Sequence, residues 1–369
     1  MVLRTNDIKD ICNALLKSMD SNDSHLLQIA GEGNVLCWSI SNNGFYLKMN
    51  LSLSEAVDFR ATIEAGLFLK LINQLTSETV DMSVAGNALI IKANGVYKFP
   101  LVFDDGRIKE IPELRIENPT VNMTIPSNTL KSMVTYNSLE VGKKISNSPV
   151  QSMYYVDECG CLTFTSISSC VNNFTLSTPV KMLLNHSVVK VFKLFNDEED
   201  VNFTMGYELL ANDLIQTKVK FETANVCVVA ALPTNMKELL GQLPVEMMRE
   251  VATQKYKHTV TVNKQLLLQA INRMLLFNSG SIVACGTFTF KDYSVVLSDD
   301  AANNFEEIFY DSKVSSLTTP YVTMLDLNEL KSIISSCAEP TVTFTFGNVQ
   351  AMVILRDNVY NILSEITEG

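Results

Sequence analysis

The stretch His258-Thr-Val-Thr-Val-Asn-Lys-Gln-Leu-Leu-Leu-Gln-Ala-Ile-Asn-Arg-Met-Leu-Leu-Phe277 changes its hydrophobic period part-way along. Thr259, Val260, Thr261 and Val262 alternate as a half-buried strand does, and Asn263 to Phe277 then reads as a helix. Leu266, Leu267, Ala270, Ile271, Met274 and Leu275 fall on one stripe, with Gln265, Gln269, Asn272 and Arg273 on the opposite arc. One face of such a helix packs on a sheet and the other faces water. The same strand-then-helix unit recurs five more times along the chain.

Toward the C-terminus, strands at Ile282 to Lys291, Ser294 to Leu297 and Asn304 to Asp311 complete the unit. The next begins with Tyr321 to Leu325 and a helix, Asn328 to Cys337, that buries Leu330, Ile333 and Ile334 and is followed by three strands. Toward the N-terminus, Thr234 to Lys257 is a linker in which Leu239, Leu240, Leu243, Met247 and Met248 suggest short helices on either side of Pro244. Before it, helices at His186 to Phe195 and Ser127 to Ser138 each follow a strand and precede three, the second capped by Ser127. Asp104 to Pro119 carries Gly106, Pro112 and Pro119 with no period and reads as a second linker. Helices Asn6 to Met19 and Leu67 to Leu75 repeat the order in the first third, with turns such as Gly86-Asn87 and Asn94-Gly95 between strands. The chain is therefore α+β, with three similar domains, 1–119, 120–244 and 245–369, each of two strand-helix-three-strand repeats.

Composition narrows the function. At 369 residues, 47% apolar and 19% charged, the chain can bury several cores, and no run is long enough to span a bilayer. Residues 1 to 19 lack a secretory apolar block, and the eight cysteines sit mostly inside apolar patterns, so a reducing cytoplasm is expected. A net charge of −11 argues against a surface that holds nucleic acid generally. Any contact with DNA is local.

The local candidates are cations on the wet faces of the helices: Lys9, Lys70, Lys131, Lys190, Lys193, Lys264, Arg273 and Lys331. Lys9 and Lys17 both lie off the apolar stripe of the first helix. A solvated helix face explains any one of these singly. As a set they are segregated by element, although acids outnumber cations 40 to 29 in the whole chain. A second oddity is Leu276, which lands about 280° around the helix from Leu266, in the polar arc, with Phe277 beside it. Such a pair forms an apolar patch, and the alternative is that the helix ends early and Leu276 tucks under Asn278-Ser279-Gly280. Cys159-Gly160-Cys161 with Cys170 lacks a nearby fourth ligand for zinc, and no phosphate-binding loop, triad or metal spacing is present. No cofactor, metal or catalytic residue is expected, and the chain reads as a non-enzyme.

This layout resembles the bacterial and phage sliding clamp, the beta subunit of DNA polymerase III, over the whole chain. Leu266-Leu267, Gln269-Ala270 and Arg273 look like the opening helix of that family's third domain, and Gly86-Asn87-Ala88-Leu89 like a hairpin of its first. The resemblance implies a head-to-tail homodimer closed into a ring, with helices lining the hole and sheet outside. Double-stranded DNA passes through without being read, and the partners are a DNA polymerase and a clamp loader. It also implies a partner pocket between the second and third domains, near Tyr154, Val226, Ala231, Ile362 and Leu363, and a subunit joint at Leu276 and Phe277. Two departures stand out. Where the family often has Thr-Asp-Gly-His-Arg this chain reads Ser166-Ile167-Ser168-Ser169-Cys170-Val171, and it ends Ile366-Thr367-Glu368-Gly369 without the usual Met-Pro-Met-Arg-Leu. Either the pocket is divergent, with partners of its own, or it is reduced; a phage-encoded clamp fits such divergence. The competing reading is a monomeric three-domain protein-binding scaffold that does not encircle DNA.

Overall fold

The computed structural model describes residues 1–19, 25–42, 44–139, 141, 148–210, 215–278, 284–299, 303–310, 317–356 and 358–366. Among them the strand-helix-three-strand order recurs six times, and the helix of each unit starts where its opening strand ends. The switch from one to the other is encoded locally in the last third. Asn263 closes the strand His258–Asn263, and its side-chain oxygen accepts the Leu266 amide at 3.0 Å, opening the helix Lys264–Phe277. Asp326 does the same for Leu327–Ser335, accepting from the amides of Asn328 at 2.9 Å and Glu329 at 3.0 Å. Ser127 behaves otherwise than expected. It is the first residue of the helix Ser127–Tyr136, and its hydroxyl accepts the Glu199 amide at 3.3 Å.

The units are interlocked in pairs. Val2–Arg4 opens the first unit, yet it pairs with Thr79–Ala85 of the second, and the second unit's opening strand, Arg60–Glu64, pairs with Leu26–Glu32 of the first. His258–Asn263 likewise pairs with Thr341–Phe346, and Tyr321–Asp326 with Cys285–Phe290. In the middle pair, Asn118–Pro126 joins Asp200–Leu209, and Lys181–Asn185 lies beside Met153–Asp157. Val2–Arg4 was not foreseen from the sequence, because three residues are too few to show an alternation.

Contacts divide the chain into two compact units, Met1–Lys131 with Leu183–Met236, and Ser132–Met182 with Lys237–Gly369. The first holds an antiparallel eight-stranded sheet in which Val226–Ala231 pairs with Phe45–Ser52, and a four-stranded sheet that ends in Val96–Pro100. Its helices Thr5–Ser18 and Ala65–Gln74 pack together over Trp38, Phe68 and Phe99, with ring centroids 6.1 and 5.2 Å apart along that series. The two-residue strands Phe103–Asp104 and Arg107–Ile108 pair at the start of the Asp104 to Pro119 linker, whose Ile111 joins a cluster with Tyr46, Cys227 and Val229.

In the second unit, Ser168–Asn173 pairs with Val359–Ser364, joining strands from distant segments in one eight-stranded sheet. A four-stranded sheet there ends in Phe305–Phe309. The helices Lys264–Phe277 and Leu327–Ser335 pack together over a core rich in Phe288, Phe290, Phe344 and Phe346. The helix stripe differs from the expected one by a small rotation. Leu266 is 49% exposed, whereas Leu268 and Leu275 pack against the core around buried Leu267, Ala270, Ile271 and Met274. Leucines crowd that helix N-terminus, so composition there does not fix which face turns inward. The helix expected over His186 to Phe195 is an α turn, His186–Val189, followed by the tighter turn Lys190–Leu194.

Phe290 is fully buried, and its ring lies 4.7 Å from that of Phe346 and 6.0 Å from that of Phe344. Phe290→Ala is expected to cost about 3–5 kcal/mol, read from the urea midpoint of the second unit's unfolding transition. A loss below about 1 kcal/mol would contradict its place at the centre of that core.

Candidate functional site

Two grooves gather the candidate residues, one cationic in the first unit and one apolar in the second. The cationic groove, about 500 Å³, is lined by the helix Thr5–Ser18 through Asp10, Asn13 and Lys17, and by the turn Lys190–Leu194 through Lys190 and Lys193. Three ammonium groups thus meet from segments far apart in sequence, beside one lining carboxylate. Lys17 and Lys193 are exposed, and Lys190 is half-buried. Lys17 joins the set here; its off-stripe position was visible in the sequence, but its convergence with Lys190 and Lys193 depends on the fold.

The other cations differ among themselves. Lys70 is exposed, and Lys9 and Lys331 are half-buried on their helices. Three do not stand alone on a wet face as expected. Lys131 pairs with Asp197 at 2.5 Å. Lys264 turns its ammonium to the Cys337 carbonyl, because the strand Thr341–Phe346 beside His258–Asn263 brings that helix end within reach. Arg273 forms a two-pronged pair with Glu306 on the edge strand Phe305–Phe309, at 2.6 and 2.5 Å. The hydrogen bond from Arg273 holds the Glu306 carboxyl below the usual carboxylate range, against a smaller opposing effect of burial. Charge segregation by helix therefore overstated the free cations near Arg273: the acid came from a strand about thirty residues on.

The apolar groove, about 220 Å³, has a wall of Met247, Met248 and Val251 from the helix Val245–Thr253. Its floor and far side are Phe164, Thr165, Ser168, Ser169, Val349, Gln350, Ala351, Ile362 and Ser364. No lining side chain is charged. The floor is tied from below by Ser168, whose hydroxyl donates to the buried Glu329 carboxylate at 3.0 Å. Ser364 and Glu365 are held by backbone hydrogen bonds to Ile167 and Gln350, and the Tyr321 hydroxyl donates to Glu365 at 2.5 Å.

Of the expected pocket residues, Ile362 lines this groove. Tyr154 and Leu363 are 0% and 1% exposed and belong to the core, since alternate residues of a strand face opposite sides and theirs face inward. Val226 and Ala231 lie on the strand Val226–Ala231 of the first unit and do not line it. The stretch Ser166 to Val171 does contribute, through Ser168 and Ser169. Met247, Met248 and Val251 were missed; the available signal was a pair of methionines on a short helix with little else to bury them.

Leu276 and Phe277 are 71% and 58% exposed at the end of the helix Lys264–Phe277, which runs past the early stop considered from sequence. Ser279 and Gly280 of that alternative lie outside the described residues. Phe305 and Phe309, each 67% exposed, add apolar surface on the edge strand of the same unit.

Cys159 lies in the turn between Met153–Asp157 and Gly160–Phe164, and Gly160 and Cys161 open the second strand. Gly160 has φ +148° and a Cβ there would lie 2.3 Å from the Asn172 carbonyl oxygen, so both backbone and neighbour demand glycine. Among the described residues no group of three or more His, Cys, Asp or Glu side chains is placed to hold a metal. Burial raises the Cys161 thiol, and burial followed by Glu222 pushes Cys227 up to about 12, so both are protonated at pH 8; Cys159 is exposed. Iodoacetamide at pH 8 should label Cys159 in the native protein and leave Cys161 and Cys227 until unfolding. Equal native labelling of Cys161, read by peptide mass, would contradict its burial.

No protein-family profile and no curated protein matches the sequence. Among the described residues no helix is long and apolar enough to cross a membrane. Solved structures match over the full chain. The DnaN sliding clamp of Pseudomonas aeruginosa bound to griselimycin has TM-score 0.79 at 11% identity, covering 100% of this chain and 99% of that one. DNA polymerase III subunit beta of Borrelia burgdorferi has 0.78 at 13%, and the Helicobacter pylori beta clamp bound to a DNA ligase peptide 0.75 at 12%, each with the same coverage. From end to end, this chain has the α+β fold of the bacterial beta sliding clamps.

Proposed function

We propose that this protein is a non-enzymatic sliding clamp: a head-to-tail homodimer that closes around double-stranded DNA and tethers a replicative polymerase. The observation that carries the reading is the end-to-end match of the fold to beta clamps, at TM-scores of 0.75 to 0.79. The pairwise exchange of opening strands supports the three domains 1–119, 120–244 and 245–369, because each exchange links two units of one such segment. Retention by topology asks little of the surface, so a chain of net charge −11 needs only a local cationic lining. Lys17, Lys190 and Lys193 supply one such patch. Mobile ammonium groups attract phosphates without locking onto base edges, which suits movement along DNA.

The subunit joint is proposed between two sheet edges. Val96–Pro100 ends one four-stranded sheet and exposes Val96 and Lys98; Phe305–Phe309 ends the other and carries Glu306 and Glu307 between exposed phenylalanines. An unpaired strand edge offers amide and carbonyl groups to another chain. The Leu276 and Phe277 patch adds apolar area. The apolar groove around Met247 and Ile362 is proposed to receive a short uncharged segment of the polymerase or clamp loader, as the Helicobacter pylori clamp holds a DNA ligase peptide.

Two measurements test this reading. Sedimentation of the wild type should give a dimer at micromolar concentration, and Leu276→Ala with Phe277→Ala should give folded monomers, each joint losing about 3 kcal/mol or more. A monomeric wild type, or an undisturbed double variant, would refute the joint. Replacing Lys17, Lys190 and Lys193 by Glu should lower the log–log salt slope of DNA association by about 2 to 3 and reduce polymerase processivity. An unchanged slope and unchanged processivity would remove that groove from the DNA path.

A further inference from the structure

The helix Val245–Thr253 is nine residues long, too short to persist without tertiary support, yet it supplies one wall of the apolar groove. At 100° per residue, Arg249 points about 150° away from the mean direction of Met247, Met248 and Val251. Its Nη2 donates to Asp157 Oδ1 at 2.5 Å. Asp157 ends the strand Met153–Asp157 and is 3% exposed. Its carboxylate also accepts from the Tyr155 hydroxyl and the Cys159 amide, each at 2.9 Å. Burial works against the Arg249 charge, but the Asp157 hydrogen bond and charge outweigh it and raise its pKa. The far end of the helix is fixed separately, by the Tyr256 hydroxyl donating to the Val251 carbonyl at 2.6 Å.

We infer that the ion pair of half-buried Arg249 with buried Asp157 is the positioning device of the partner groove, holding the helix wall at the spacing an inserted apolar side chain requires. The inference rests on the groove being the partner site proposed above. Neither residue lines the groove, so neither touches the incoming peptide. The pair acts through the helix. A carboxylate already held by a hydroxyl and an amide cannot follow the arginine if the helix shifts, and separation would leave the buried Asp157 charge uncompensated. The helix is therefore confined to a narrow range of positions, and the groove is formed before the peptide arrives, sparing the peptide the cost of ordering it. Arg249 bonds Asp157 through one nitrogen and its Nε has no partner, so the contact uses a point charge and not the two-pronged geometry of a guanidinium. A lysine at this position would preserve it.

The test uses the full-length protein and a fluorescein-labelled heptapeptide, selected from a random display library on the wild type and lost on Ile362→Asp. Arg249→Met should weaken its binding about 30-fold and speed amide hydrogen exchange in residues 245–253 about 10-fold, with exchange in Ser168–Asn173 unchanged. Arg249→Lys should restore both to within about 3-fold of wild type; methionine and lysine both keep an unbranched stem, so loss in one and rescue in the other reads the charge and not the packing of the stem. Asp157→Asn, which removes the charge and keeps an acceptor oxygen, should reproduce the Arg249→Met result and covers the case in which that variant fails to fold. Wild-type binding and exchange in Arg249→Met or Asp157→Asn would overturn the inference. Recovery of no peptide sensitive to Ile362→Asp would instead overturn the groove reading, and this inference with it.

Discussion

Each strand-helix-three-strand unit gives its opening strand to the other unit of its pair, and the rest of the structure depends on that exchange. Val2–Arg4 extends the sheet of Thr79–Ala85, while Arg60–Glu64 extends that of Leu26–Glu32. A unit alone would leave a short strand unpaired and a helix with half its apolar stripe uncovered. The helices follow directly from exchanged strands, so the exchange also brings the two helices of a pair together, as Lys264–Phe277 and Leu327–Ser335 are. Sheet edges not used in this way are then joined across distant segments, Val226–Ala231 to Phe45–Ser52 and Ser168–Asn173 to Val359–Ser364. Val96–Pro100 and Phe305–Phe309 are each left at the end of a four-stranded sheet.

Much of this fold could be read from period alone, because a change from alternation to a 3.6-residue stripe is a strong local signal. Helix ends and rotations were less legible. Leu266 to Leu268 are three leucines in a row, and which of them faces inward is decided by the sheet beneath. The candidate sites were legible in inverse proportion to their sequence span. Leu276 and Phe277 are adjacent and their exposure follows from counting around one helix. The apolar groove draws on segments near 165, 248, 350 and 362, so its pattern exists only after Ser168–Asn173 and Val359–Ser364 have paired. Lys264 and Arg273 illustrate a second limit. Helix periodicity places a cation on the wet side and is silent about the carbonyl or carboxylate that a neighbouring element brings to it.

The charge distribution fits a protein that stays on a polyanion without clinging to it. Acids outnumber cations by eleven overall, yet three lysines converge in one groove of the first unit. Tight phosphate contacts would give affinity and slow movement together. A few ammonium groups on long stems give orientation and little else. The apolar groove works in the opposite manner: it carries no charged lining residue, and its walls are fixed by polar contacts placed behind them, Ser168 with Glu329 below and Arg249 with Asp157 outside.

Topological attachment to DNA, as proposed, is read from retention on DNA of defined closure. Protein loaded on nicked circular duplex and passed through a sizing column in high salt should stay with the circle and be lost once a single restriction cut linearises it. Equal loss from circular and linear DNA, or equal retention on both, would contradict encirclement.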